Sequence, residues 1–294
     1  MKKNFFLFIV FIFSFYTFIF ASDKYAGDFL NNGASARAIA LGKTGFINNF
    51  DASSVFWNPA LLSNLSGQNL SFMLSKPFAN VNGIQYHTLF FASNIYNDIF
   101  GFGLIYESAD EMKKVTNTGL IQGDFSARDI AFLSAYSKKL SENLSAGLNF
   151  KIVNQKIDTY KGTGFGADLG LKFSLSKNLH FGSTLKNILP PSIKLNSKTE
   201  KFPLRAEFGS NLILFENLNC YYGFSYENSD FMHHIGFEYL IKNFLDLRTG
   251  YDDETDAFSA GIGVKFVSFQ FDYSYKTHKT LGASHILSFN LFNF

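Results

Sequence analysis

The sequence predicts an all-β fold, a fourteen-stranded antiparallel transmembrane β-barrel with an N-terminal plug segment. Three observations predict it. After residue 66, short stretches alternate apolar and polar residues with period two, the signal of a strand with two unlike faces. The connections between them alternate between tight, mostly Asn-containing turns and longer loops. A basic, then strongly apolar, N-terminus precedes them. A strand in a bilayer shows lipid an apolar face and a lumen a polar one, and the sheet must close because lipid cannot satisfy a free edge.

The N-terminus comes first. Lys2 and Lys3 form a basic region, Asn4 to Phe20 is rich in Phe and Ile, and Ala21 precedes Ser22, Asp23 and Lys24. This pattern predicts a secretory signal peptide at 1–21, with Ile19 unusually large near the cut. No Cys follows the predicted cut, so a lipoprotein is not expected. Export behind a signal peptide into a barrel implies the outer membrane of a double-membrane bacterium.

Residues 22–66 carry Gly33, Gly42, Gly45, a helical-looking stretch from Ala34 to Leu41, and the run Trp57-Asn58-Pro59-Ala60-Leu61. The segment is too long for a bare linker and too short to fold alone. A plug inside the lumen is the expected place for it.

Residues 67–294 form the predicted barrel. Strands are expected at 67–76, 82–93, 99–108, 126–138, 142–155, 163–175, 177–188, 203–215, 217–228, 232–240, 243–252, 256–267, 267–276 and 282–294. The alternation is cleanest from Leu144, where Leu144, Ala146, Leu148, Phe150 and Ile152 oppose Ser145, Gly147, Asn149 and Lys151. Short turns fall at Asn97-Asp98, 141–143, 176–178, Glu216-Asn217, Lys242-Asn243 and near Val267. Longer loops fall at 77–81, 109–125, 156–162, 189–202, 229–231, 253–255 and 277–281. Short turns belong to the periplasmic rim and long loops to the outside, which makes both ends of the chain periplasmic. Phe294, with Phe292 on the same face, resembles the terminal signal read by the barrel-assembly machinery.

Composition agrees. Aromatic residues make up 18% of the chain, with 38 Phe and 14 Tyr, as a lipid-facing surface with aromatic girdles requires. A mean hydropathy of +0.03 suits a barrel that averages two faces and is too low for a helical membrane protein. The net charge of +2 argues against a nucleic-acid partner. Cys220, the single cysteine, excludes an internal disulfide and is expected as a small residue on an apolar face.

Several motifs in order resemble a known family. Gly27-Asp28-Phe29-Leu30, Gly33-Ala34-Ser35-Ala36-Arg37-Ala38, Gly42, and Asp51-Ala52-Ser53 through Trp57-Asn58-Pro59-Ala60-Leu61 resemble the start of PorV/PorQ-family outer-membrane proteins. Leu185-Lys186-Asn187-Ile188, Phe202-Pro203-Leu204-Arg205, Arg248-Thr249-Gly250-Tyr251 and Leu281-Gly282-Ala283-Ser284-His285 fit the same family. The Asn-Pro-Ala element is shared with the wider FadL-type group. The resemblance implies a plugged fourteen-stranded barrel. It also implies either passive transport of fatty acids and other hydrophobic molecules or, in a PorV-like branch, a shuttle or structural role in protein secretion.

Two sets of residues are candidates for function. Asn58, Pro59 and Ala60 form the plug motif: proline fixes φ, and asparagine bonds nearby backbone. They either anchor the plug or move to open it. On the predicted luminal face stand Lys151, Asp168, Lys172, Lys186, Arg205, Glu207, Glu238, Arg248, Lys265 and Asp272, with Arg37 on the plug. Mixed signs on an inner wall suggest paired networks, while Arg205, Arg248, Arg37 and Lys172 are the cations able to meet a ligand carboxylate. The acidic run Asp252 to Asp256 is expected as a solvated loop. His233 and His234 point to opposite faces and are a poor metal pair. No phosphate loop, nucleophile elbow or zinc motif appears, so neither an enzyme nor a cofactor is expected. The partners expected are outer-membrane lipid, the assembly machinery and a small hydrophobic ligand.

Overall fold

A computed structural model describes residues 27–96 and 98–293; the predicted signal peptide, Asn97 and Phe294 lie outside the described residues. Fourteen antiparallel strands close into one barrel. In chain order they are β1 (Gln68–Lys76), β2 (Ile84–Ile95), β3 (Asp98–Val115), β4 (Ile121–Ser141), β5 (Leu144–Ile157), β6 (Tyr160–Ser174), β7 (Leu179–Leu189), β10 (Arg205–Leu214), β11 (Leu218–Glu227), β12 (Asp230–Ile241), β13 (Leu245–Asp252), β14 (Ala257–Lys265), β15 (Phe269–Lys276) and β16 (Ser284–Phe292). Strands β8 (Ser192–Leu195) and β9 (Lys198–Lys201) form a separate hairpin in the loop between β7 and β10. β1 pairs with β16 from Asn69↔Phe292 to Lys76↔His285, so no edge is left open. Among the described residues no helix is long and apolar enough to cross a membrane.

Alternation sets the two faces. On β5, Leu148, Phe150 and Ile152 are exposed to the outside, whereas Asn149 and Lys151 are buried in the lumen. His233 and His234 divide the same way: His233 lies outside against Tyr222, and His234 is buried inside. Tight turns work as expected from sequence. Phe215, Glu216, Lys242 and Asn243 all take positive φ, which closes a hairpin in a few residues.

Four expectations are corrected. The loop at 109–125 is mostly strand, because β3 and β4 pair onward through Met112↔Phe125 and Lys114↔Gly123 after a bulge. The loop at 189–202 folds its own hairpin, anchored where buried Ile193 packs over Gly162 and Gly164. The acidic run is a solvated tip only at Asp253 and Asp256: Asp252 is fully buried and Glu254 mostly so, because cations inside the barrel draw them in. Finally, the longer loops expected at 156–162 and 229–231 are two-residue turns, because β5 pairs with β6 as far as Ile157↔Tyr160 and β11 with β12 as far as Glu227↔Asp230.

Residues 27–66 fill the lumen. They include two short helices, α1 (Ala36–Ala40) and α2 (Ser54–Trp57), and three 3-10 turns, Asp28–Asn32, Thr44–Phe46 and Pro59–Asn64. Ser35 caps α1 by accepting a bond from the Ala38 N–H. Nearly every residue from Gly33 to Ser63 is buried. These helices are far too short to persist in water, so the barrel wall supplies their stability.

Candidate functional site

The plug seats on a track of wall glycines. Gly182, Gly209 and Gly223 are register neighbours across β7, β10 and β11, and Phe46 and Ile47 lie on them. A Cβ on Gly182 would stand 2.6 Å from the Ile47 Cα, and one on Gly236 would stand 2.6 Å from the Leu41 oxygen. A side chain at these positions would hold the plug off the wall, so the glycines decide how close it comes.

Asn58-Pro59-Ala60 sits in the deepest notch of this track. Gly147 on β5 and Gly170 on β6 are direct register partners. A Cβ on Gly147 would lie 2.5 Å from the Ala60 nitrogen, and one on Gly170 would overlap the Asn58 carboxamide. The Asn58 Oδ1 accepts from the Ala60 N–H at 3.0 Å and caps the Pro59–Asn64 turn. Its Nδ2 donates to the Phe46 carbonyl at 2.9 Å and to the Leu171 carbonyl on β6 at 3.1 Å. One side chain thus ties two parts of the plug to each other and to the wall. Proline starts the turn at the position where a missing N–H costs nothing.

Charged networks flank the notch. At the end of the barrel that carries the Glu216 and Lys242-Asn243 turns, Arg37 binds Glu238 with two bonds of 2.9 and 2.7 Å. Arg248 bonds the same Glu238 at 2.8 Å, Asp272 at 2.6 Å and Asp246 at 2.6 Å. Lys265 adds a 2.8 Å pair to Asp246, and Tyr221 bonds Glu238 at 3.2 Å. Three cations therefore face three carboxylates, which is the condition for burying charge without a large penalty. Below this network the lumen widens into a vestibule of about 510 Å³, bordered by Arg37, Phe50, Lys265 and Phe292.

Toward the opposite end of the barrel, Arg205 bonds Glu207 at 2.9 Å and Glu254 at 2.9 Å. Lys43, which leaves the plug with φ 63° just after Gly42, pairs with Glu254 at 3.0 Å and Asp252 at 3.2 Å. Burial works against charge on both Lys43 and Glu254, but their mutual attraction, with Asp252 and Arg205, outweighs it. The Glu254 carboxyl is held well below the usual range, and the Lys43 ammonium is held above its own. His234, Asp252 and Glu254 bring potential metal-donor atoms within 4.8 Å of one another, but Lys43 already supplies the positive charge there. Lys172 contacts Asn64 of the plug.

Between this second cluster and the plug lies a chamber of about 60 Å³, lined by Phe56, Trp57, Leu133, Asp168, Asn187 and Phe202 among others. Lys186 stands over the Phe56 ring at 4.7 Å. The Trp57 Nε1 and the Asn187 Oδ1 are buried without a hydrogen-bond partner among the described residues. The wall beside the chamber is irregular. The β6–β7 ladder passes from Leu169↔Leu185 to Ala167↔Leu189, leaving Lys186, Asn187 and Ile188 out of register. The Asp168 carboxylate fills the break by accepting the Asn187 N–H at 2.7 Å.

Every cation singled out from the sequence is thus luminal. Arg37 and Arg248 share one network, Arg205 stands in the other, and Lys172 stands apart. Lys43, Asp246 and Tyr221 escaped the sequence reading, and Glu254 was read only as part of a solvated loop. Only Lys43 had a local signal, as a charged residue inside an otherwise apolar plug next to a glycine.

No protein-family model matches the sequence, and neither does any curated protein. Solved structures do match in three dimensions. The Ralstonia pickettii toluene transporter TbuX aligns with TM-score 0.68 at 12% identity, over 89% of this chain and 98% of that one. The Pseudomonas putida toluene transporter TodX gives 0.67 at 14%, over 89% and 98%. A Pseudomonas aeruginosa FadL homologue gives 0.67 at 10%, over 93% and 100%. At these identities the likeness establishes a common fold: this chain is built on the same barrel as the two toluene transporters and the FadL homologue.

Proposed function

We propose that the protein is an outer-membrane conduit for small hydrophobic molecules such as fatty acids or monoaromatic hydrocarbons, which cross it by diffusion. One observation carries the reading. A closed barrel with an apolar outer face holds a plug that divides its lumen into an outer chamber and a periplasmic vestibule. The fold shared with two toluene transporters supports it. The chamber of about 60 Å³ holds a few water molecules, whereas ligand pockets run to about 300–1,000 Å³. The plug seated on its glycine track is therefore the closed state, and a guest passes only when the plug shifts or the β6–β7 break widens. No step of this passage calls for catalysis or a cofactor.

A second reading has one observation in its favour. The β3–β4 hairpin rises past its neighbours and carries exposed Val115, Leu120 and Ile121 at its tip. An apolar tip on a rigid arm suits the docking of a protein, as in a PorV-like shuttle or secretion component. Uptake of a labelled long-chain fatty acid and of toluene into liposomes holding the folded protein separates the two, with a small sugar as control. The conduit reading expects faster hydrophobic uptake than into empty liposomes without sugar leak. No uptake by a folded barrel would overturn it and favour the shuttle.

A further inference from the structure

The outer surface of the barrel carries a transverse row of cations. Arg128 on β4 is the direct register partner of Lys156 on β5, and Lys156 is the partner of Lys161 on β6. All three point outward, because they share parity with Phe132, Ile152 and Phe165, which are 53%, 44% and 63% exposed. Neighbouring strands lie about 4.8 Å apart, so three positive side chains emerge within about 10 Å of one another. Like charges set directly opposite each other destabilise a sheet.

Among the described residues one distant carboxylate is all that offsets this repulsion. Nearby cations are partnered: Lys113 pairs with Asp124 at 2.7 Å and Lys114 with Asp158 at 2.9 Å. Arg128 reaches only Asp110, at 4.0 Å, and among the described residues Lys156 and Lys161 have no ion pair. Depth completes the pattern. Two register steps toward the membrane, the same strands present the apolar row Phe132, Ile152 and Phe165. Four residues of strand separate the two rows, about 13 Å. The intervening row, Ile130, Asn154 and Thr163, carries one polar pair, Asn154 bonded to Thr163, between charge and hydrocarbon.

We propose that Arg128, Lys156 and Lys161 form a binding site for the phosphorylated headgroup of an outer-leaflet lipid, with its acyl chains lying along Phe132, Ile152 and Phe165. The proposal rests on the outer-membrane reading, which sets these strand ends outside. Phosphate neutralises the mutual repulsion of the three cations, and the chains cover the apolar row beneath it.

The test is native mass spectrometry of the full barrel in neutral detergent, titrated with lipid A and with dephosphorylated lipid A. Heat-modifiable migration of the same protein reconstituted in vesicles reports separately whether the barrel inserts. The expected result is selective retention of the phosphorylated lipid, weakened roughly a hundredfold in the variant Arg128→Gln, Lys156→Gln, Lys161→Gln. A Lys113→Gln control, which removes a paired cation, should retain the lipid. Equal retention of both lipids, or unchanged retention by the triple variant, overturns the proposal even where insertion is normal. Displacement by equimolar inorganic phosphate would make the row a free-phosphate site and overturn the lipid assignment. Failure to insert would instead overturn the barrel reading on which the proposal stands.

Discussion

Replacing Asn58 with alanine should release the plug without unfolding the barrel. The side chain makes two well-formed donor bonds, to the Phe46 and Leu171 carbonyls, and accepts one capping bond from the Ala60 N–H. A buried hydrogen bond contributes about 1 kcal/mol net, and an N-cap typically about the same. The loss is therefore about 2–4 kcal/mol, reduced if water enters the vacated notch. Leu171 belongs to a wall strand that keeps its ladder bonds to β5 and β7, so the cost falls on the plug. Hydrogen–deuterium exchange reads this directly. The Ala60 and Leu61 amides open with the plug, and a tenfold change in opening equilibrium corresponds to about 1.4 kcal/mol. Exchange at these amides should accelerate by roughly 30- to 700-fold, while β5 and β6 amides stay protected. Plug amides as protected in the variant as in the original protein would refute the reasoning, since the notch would then owe its stability to shape alone. Acceleration across β5 and β6 as well would refute it differently, by showing that plug and wall open as one unit.

Three further outcomes are expected. Gly170→Ala should cost about 1–3 kcal/mol in chemical unfolding, because its methyl overlaps the Asn58 carboxamide; an unchanged midpoint would mean that the notch is looser than drawn. Glu238→Gln should lower stability by about 3–5 kcal/mol, seen as a fall in the thermal transition, because Arg37 and Arg248 then share a site with too few negative charges. Limited proteolysis of the 253–256 loop should be insensitive to pH above the ordinary Glu range of about 4.3, where the stabilisation from Glu254 is complete. Because the folded carboxyl titrates below that range, cleavage should rise only as the pH falls further toward its lowered value. In Glu254→Gln the loop should be cleaved readily at neutral pH, with that acid response gone; an acid response that survives would place the titrating group elsewhere.

The barrel was legible in the sequence because its physics is local. A strand between lipid and lumen must alternate, so Leu148, Phe150 and Ile152 on one side and Asn149 and Lys151 on the other announce both strand and face. Turns such as Lys242-Asn243 mark where the chain reverses, and the count of reversals gives the strand number. The same local logic placed Arg205, Arg248 and Lys172 on the luminal side. Where a boundary was missed, a distant pairing decided it: β3 and β4 run past the rim because each supplies the other's hydrogen bonds, although 109–125 reads as a loop.

What only the tertiary structure decided is who meets whom inside the barrel. Gly147 and Gly170 are unremarkable in sequence and become a socket only because register sets them side by side facing Asn58. Asp252 and Glu254 read as a solvated acidic tip, because the sequence does not reveal that Lys43, more than two hundred residues earlier, stands beneath them. The row Arg128, Lys156 and Lys161 is invisible until the ladders align three strands. Alternation is a property of each residue and its neighbours, so the chain states it directly. Contacts across a closed sheet depend on shear and on the shape of whatever fills it, and no single stretch of sequence carries that information.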